Sequence, residues 1–414
     1  MRIQDGTYET SVEDKADDDL PAPAAWWQSV LRGSRVDTLA ARSPALRVVD
    51  AFCGSGGLAL GLKFAAEASG RDADFMAIID TDSAALEVHR HNLGGRRQIA
   101  QSAASLVDFH VLGSGPDVRF GYEPEVISSE LARIGRTDMF VAGPPCEGHS
   151  NLNNYTRRQD PRNDLYLTAA ALGVALRANM IVLENVPTVK NAYSGVVETA
   201  IGLLRSSGYG VSSAILRADE LGAAQRRTRF FILAIKGVDL DDSYLESVAE
   251  TLRAPAMPLS WAISDLLDRE PVGIMDTPPT LTAANMARVE YLFSEDLYDL
   301  PDTQRPECHR NGTSYTAVYG RMFWDKPTQT ITTGFGTPGQ GRFIHPLRRR
   351  LITPREAARI QGYPDWFDFM PETVPATRKN LAKWIGDAVH PILGYAVGLA
   401  ALNAFAPASL SPPK

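Results

Sequence analysis

Cysteine is scarce in this chain: 414 residues carry only Cys53, Cys146 and Cys308. None stands in C-x-x-C spacing, and three are too few for a disulfide framework or a structural zinc site. That usage points to a reducing cytosol. Long apolar runs are missing too, since none reaches the ~18 residues that span a bilayer. The opening "MRIQDGTYETSVEDKADDDL" is polar and acidic, unlike a signal peptide. A cytoplasmic protein with no membrane association is the expectation. No internal repeat and no low-complexity tract occurs outside the tails. An excess of basic charge is also lacking, with a net charge of −7. Nucleic-acid binders usually carry a basic surface, so the total argues weakly against one.

The distribution of charge says more than its sum. Basic clusters stand at "YTRRQDPR" (Tyr155 to Arg162), "QRRTR" (Gln225 to Arg229) and "HPLRRR" (His345 to Arg350). Acid is concentrated at Asp14 to Asp19 and from Asp239 to Glu250. A local basic cleft on an acidic protein fits this pattern, and so do ordinary solvated faces. Composition is that of a globular protein, with 44% hydrophobic and 22% charged residues. The length allows one large domain with a smaller one, or two to three units.

From residue 46 strands and helices alternate. "ALRVVDAF", "DFMAIID", "DMFVAGPP", "IVLENVP", "GVSSAILRA" and "RTRFFILAIK" read as strands. "LALGLKFAAEA", "SAALEVHRHN", "LYLTAAALGVALRANM" and "VVETAIGLLRSSGY" read as helices. Such alternation predicts a parallel α/β sheet. Residues 1–45 read as an N-terminal tail with a short helix around "AAWWQSVLRG". Residues 46–236 and 346–405 form the main domain, 237–345 a small irregular region, mainly β or coil, and 406–414 a C-terminal tail. "TPRE" starts a helix, with Thr353 as N-cap, Pro354 at N1 and Glu356 at N3. "IGDAVHPILGYAVGLAALNAFA" reads as one apolar helix.

Sites in parallel sheets lie at the carboxyl ends of strands. "DAFCGSGG", "AGPPCEGHS" and "ENVP" all begin there. Gly54, Gly56 and Gly57 let a ligand approach the backbone at a helix N-terminus. Their spacing, D-x-F-x-G-x-G-G, does not match the dinucleotide G-x-G-x-x-G. It suits a small nucleoside-like cofactor, with Asp80 at the next strand end placed for ribose hydroxyls. An ordinary glycine turn is the plain alternative. Cys146 sits behind two prolines that fix its direction. A buried inert cysteine, a catalytic thiol and a metal or disulfide role all remain open for it at this point.

Together these stretches carry a resemblance. "DAFCGSGG", "GPPCEGHS", "ENVP", "QRRTRFF", "TPREAARIQGYP" and "IGDAVHP" resemble motifs of the DNA (cytosine-5)-methyltransferase family, in that family's order, over residues 46 to about 400. The resemblance implies a Rossmann-like, doubly wound, mostly parallel sheet of the class I methyltransferase kind. It implies S-adenosylmethionine as cofactor, with S-adenosylhomocysteine as product, DNA as substrate and no metal. Cys146 becomes a nucleophile toward carbon 6 of a flipped cytosine. Glu184 contacts N3 and the exocyclic amine, with a pKa that burial should raise. Arg227 and Arg229 contact the base O2, that carboxylate and nearby phosphate, and Arg226 matches less well.

By the same matching Phe52 packs on adenine, Gly54 and Gly56 shape the pocket, and Asp80 holds the ribose. Cys53, Ser55, Gly57, Thr81 and Pro144 join the cofactor site, and Asp387 with Ala388 closes it. Pro145, Ser150, Arg162 and Gln225 fall on the substrate side. "NLNNYTRRQDPRND" becomes a loop that shuts over DNA. Glu147, His149, Asp387 and His390 depart from the family's usual residues. The acid that follows the second helix is missing, with only Ser102 in "IAQSAASL". The recognition region between "QRRTR" and "TPRE" is short, so a partner protein supplying specificity is an expectation. The implied setting is restriction-modification or phage defence. The alternatives are the same chemistry on RNA or on partner-presented DNA, and a catalytically silent DNA-binding regulator.

Overall fold

Val48, Val49, Phe140, Val141, Ile181, Val182 and Leu183 are wholly buried. Unbroken apolar runs like these suit strands covered on both faces. In the computed structural model they form the centre of a seven-stranded sheet. The structure describes residues 2–4, 7–9, 20–34, 43–113, 115–145, 164–191, 195–310, 317–375 and 377–405. The sheet strands are β1 (Leu46–Ala51), β2 (Ala73–Ile79), β3 (Gln98–Ile99), β4 (Met139–Ala142), β5 (Met180–Asn185), β6 (Tyr209–Arg217) and β7 (Thr228–Lys236). Their spatial order is 3-2-1-4-5-7-6. Neighbours from β3 to β5 run parallel, whereas β7 is antiparallel to both β5 and β6. The mostly parallel, doubly wound expectation holds.

The chain groups into two compact units. One comprises Thr38–Arg217, Thr228–Arg253 and Val389–Lys414 and contains the sheet. Its helices are α1 (Gly57–Ala68), α2 (Ser83–Leu93), α3 (Asp164–Ala175), α4 (Val196–Ser206), α5 (Tyr244–Thr251) and α6 (Pro391–Phe405). Successive strand residues point to opposite faces. Val49, Ala51, Phe140, Ala142, Ile181, Leu183, Ile232 and Ala234 share one core with α3 and α4. Helix α6 lies against α1, β5 and β7, outside that core. The α1–α6 contact is backbone-close. A Cβ on Gly61 would fall 2.1 Å from the Pro391 carbonyl oxygen, and one on Gly394 would fall 2.7 Å from that of Leu58.

The other unit comprises Met1–Asp37, Ala218–Arg227 and Ala254–Ala388. Its first helix, Ala22–Leu31, is part of the packing rather than a tail. Trp27, Val30 and Leu31 are buried, and Trp261 Nε1 donates to the Ala24 carbonyl at 3.2 Å. The region expected to be mainly β or coil is largely coil, and within it stand the helices Leu259–Ile263, Gly273–Asp276 and Ala283–Ser294. Val289 and Leu292 bury one face of the last, whose N-cap is Thr282. Residues 346–388, expected with the sheet domain, group here. One reason is the buried Arg359 guanidinium, which binds Asp265, Asp365 and the Ala262 carbonyl. The Thr353–Glu356 capping box forms as the sequence predicts.

The single apolar helix expected near the C-terminus is two helices, Arg378–Asp387 and Pro391–Phe405. Pro391 has no N–H to continue the preceding turn. His390 Nδ1 accepts from the Ile392 N–H at 3.2 Å and starts the second helix. By length and composition the stretch Arg378–Phe405 could cross a membrane, but 61% of its apolar window is buried, as in a core helix.

Candidate active site

Register brings the motifs to one edge. Ala51 of β1 pairs with Ile79 of β2 and Ala142 of β4, and Ala142 pairs with Leu183 of β5. Phe52, Asp80 and Gly143 therefore leave the sheet level with Glu184, which lies near the carboxyl end of β5.

The glycine turn is held in the left-handed region. Phe52 has φ 53°, Gly54 φ 50° and Gly56 φ 94°. A bulky residue at positive φ is strained, so the surroundings must impose it. Asp80 supplies part of that constraint. Its Oδ2 accepts from the Gly54 N–H and its Oδ1 from the Asp82 N–H, both at 2.9 Å. The carboxylate therefore braces the turn against the start of α2. A Cβ on Gly56 would meet the His89 ring at 2.8 Å, so only glycine fits there. Ser55 is buried, Cys53 partly so, and Thr81 is exposed. Burial first, then the charges of Asp50 and Asp80, push the Cys53 thiol well above its usual range, so it stays protonated. An α1 N-terminus, open glycine backbone and a fixed carboxylate fit a small nucleoside-bearing cofactor.

Beyond β4 and β5 lies the second cluster. Arg229 Nε sits 2.8 Å from Glu184 Oε1, and the two side chains are 14% and 8% exposed. A Cβ on Gly143 would fall 3.2 Å from Glu184 Oε2, so the segment leading toward Cys146 runs beside this carboxylate. Asn185 Nδ2 donates to the Pro144 carbonyl at 3.5 Å. Pro144 is buried and Pro145 half-buried. The Tyr166 phenol is buried without a hydrogen-bond partner among the described residues, and burial, then the charge of Glu184, raises its pKa. Cys146, Ser150 and Arg162, with Glu147 and His149, lie outside the described residues.

A family model for C-5 cytosine-specific DNA methylases matches residues 46–402. The chain belongs to that family. It is 38% identical to the type II methyltransferase M1.BsuMI of Bacillus subtilis, over 86% of this chain and 80% of that protein. It is 28% identical to the type II methylase M.HgiDII of Herpetosiphon aurantiacus, over 84% of this chain and 92% of the other. The fold is similar to that of the Dnmt2 methyltransferase of S. pombe, with a TM-score of 0.57, 17% identity, and coverage of 86% of this chain and 98% of that one. The methylase acts on carbon 5 of cytosine in DNA.

Two of the expected site residues of the methylase are buried among main-chain groups. Arg227 is 1% exposed. Its Nη1 donates to the Ile331 carbonyl at 2.9 Å, and its Nη2 to those of Gly386 and Asp387 at 3.0 and 3.3 Å. Those bonds make the guanidinium a brace between these main-chain segments. Gln225, expected on the substrate side, is fully buried. It donates to the Ile360 carbonyl and to Gln361 Oε1, and it accepts from the Ile331 N–H. Gln361 in turn donates to the Ala388 carbonyl. Arg226 is exposed. The Asp387 carboxylate pairs with Lys383 at 2.7 Å on an open surface.

Sequence reasoning missed one cluster. Asp50, Cys53 and His89 place ligand-type atoms within 4.8 Å of one another. Asp50 stands in the quoted glycine motif, but His89 lies 39 residues away and no spacing rule ties the two.

Proposed function

We propose that the methylase works through a transient bond between Cys146 and carbon 6 of a cytosine flipped out of DNA. The observation that carries this reading is the Arg229–Glu184 pair, held at the sheet's carboxyl edge beside the segment that leads to Cys146. S-adenosylmethionine is the proposed cofactor and supplies an activated methyl group. Phe52, Cys53, Gly54, Ser55, Gly56, Gly57, Asp80, Thr81 and Pro144 are its proposed contacts, with Asp387 and Ala388. Pro145, Ser150 and Arg162 are proposed to face the substrate.

The chain's own residues then have distinct tasks. The Cys146 thiolate adds to carbon 6, and carbon 5 becomes enamine-like and nucleophilic. Glu184 holds N3 and the exocyclic amine and so absorbs charge pushed into the ring. Arg229 fixes the orientation of Glu184. After carbon 5 is methylated its proton leaves to a base, the carbon 6–sulfur bond breaks, and the ring regains aromaticity.

We place the enzyme in the cytoplasm, in a restriction-modification or phage-defence setting. The names of the type II relatives support that setting. The short recognition region is the reason to propose a specificity partner.

A transfer assay with methyl-labelled S-adenosylmethionine on duplex DNA, single-stranded DNA and RNA tests the reading. Duplex DNA should be labelled, and DNA carrying 5-fluorocytosine should trap a covalent complex that Cys146→Ser abolishes. Glu184→Gln should lower kcat by roughly 10²–10⁴-fold while cofactor affinity changes little. A trapped adduct that persists in Cys146→Ser would sink the proposal.

A further inference from the structure

His89 is a buried titratable group that the chemistry above does not use. It sits in α2, fully shielded from solvent. Its Nε2 lies 3.2 Å from Asp50 Oδ2, and its Nδ1 lies 3.2 Å from the Gly94 carbonyl oxygen. Phe75 meets the ring edge-on, with centroids 5.2 Å apart. The ring also fills the space where a Gly56 side chain would stand.

We propose that His89 and Asp50 form a two-proton pillar that sets the shape of the glycine turn 52–57 and so positions it for the cofactor. The inference rests on the reading that this turn holds S-adenosylmethionine. The proton count follows from geometry. A carbonyl oxygen can only accept, so Nδ1 must carry a proton. With Nδ1 protonated, Nε2 is an acceptor in the neutral ring, and a bare carboxylate facing it at 3.2 Å would be repelled. One further proton must lie between Asp50 and Nε2, on either atom. The pair is net neutral in both forms, as deep burial requires.

Burial, the largest influence, raises the Asp50 pKa. His89 opposes that shift, and Asp80 adds to it. Cys53 is the thiol alongside, itself kept protonated. Ordering this turn therefore holds a proton. Because the folded Asp50 pKa lies above its unfolded value, the stabilisation is present at low pH and fades as pH rises through the raised range.

Asp50→Asn tests the count. Its amide N–H donates to Nε2 in place of the acid proton, so both contacts survive without a titrating group. His89→Phe keeps the ring but strands both partners. S-adenosylhomocysteine affinity by calorimetry should fall about tenfold or more in His89→Phe and less than about threefold in Asp50→Asn. Melting of the ligand-free protein should show the wild-type advantage over Asp50→Asn shrinking as pH rises. Wild-type affinity in His89→Phe overturns the proposal. So does a loss in Asp50→Asn equal to that in His89→Phe, or stoichiometric zinc in the purified protein whose removal costs affinity. Asp80→Ala separates the two claims. If it leaves affinity unchanged, the cofactor-turn reading falls. If it weakens binding while His89→Phe does not, the pillar alone falls.

Discussion

Replacing Arg227 with methionine removes a guanidinium and keeps most of its volume. The structure gives the cost. Three main-chain oxygens, on Ile331, Gly386 and Asp387, lose their donor around a side chain that is 1% exposed. A buried acceptor left unsatisfied costs about 1–3 kcal/mol. Partial relaxation makes three such losses less than additive, so about 3–5 kcal/mol is expected. That is a large part of the ~5–15 kcal/mol by which domains are stable. Urea unfolding followed by tryptophan fluorescence measures it as a drop in midpoint at constant slope. Arg227→Lys should recover only part, because one ammonium cannot reach all three oxygens. Arg229→Met is the contrast: it removes the ion pair that Arg229 makes with Glu184, and its main effect should fall on kcat. If Arg227→Met unfolds within about 0.5 kcal/mol of wild type yet loses turnover, Arg227 touches substrate and the brace assignment is wrong.

Two further outcomes follow from buried polar groups. His345 Nδ1 accepts the N–H groups of Leu347 and Arg348 at 3.0 and 3.1 Å, and burial, the main cause, lowers its pKa from 6.5 to about 4. Stability should therefore be complete above the ordinary histidine range and fall by at most about 3 kcal/mol as pH drops toward 4. His345→Asn, whose carbonyl can accept the same N–H groups, should flatten that slope in urea titrations at several pH values. Tyr166→Phe removes a buried hydroxyl that has no hydrogen-bond partner among the described residues. It should raise stability by up to about 1 kcal/mol, and a loss of that size by calorimetry would show that the hydroxyl is engaged.

Much of the sheet unit was legible because its signals are local. Runs such as "RVVDA" and "IVLEN" had to be strands buried on both faces, and glycine and proline marked where they stop. The Thr353–Glu356 box forms within four residues and needs no partner from elsewhere. Local signals failed where proline and threonine dominate composition. There the helix Ala283–Ser294 is held by two buried side chains, too few to stand out as a period. Long-range contacts were out of reach as well, and the Asp50–His89 pair is one of them.

The "QRRTR" motif shows a subtler limit. Residues two apart in a strand share a face, so Arg227 and Arg229 should point together toward Glu184. That rule needs one continuous ladder. Gln225 and Arg226 pair with Thr328 and Gln329, whereas the ladder against β6 begins at Thr228. Alternation restarts between them, and Arg227 falls in the gap. Its N–H turns back to the Gln225 carbonyl and its own carbonyl accepts from Ala218. One guanidinium is thereby spent on main-chain oxygens while its neighbour two residues on reaches the carboxylate. The motif supplies both arginines, but only the pairing of Gln225 with Thr328 and of Thr228 with Arg217 decides which of them meets Glu184.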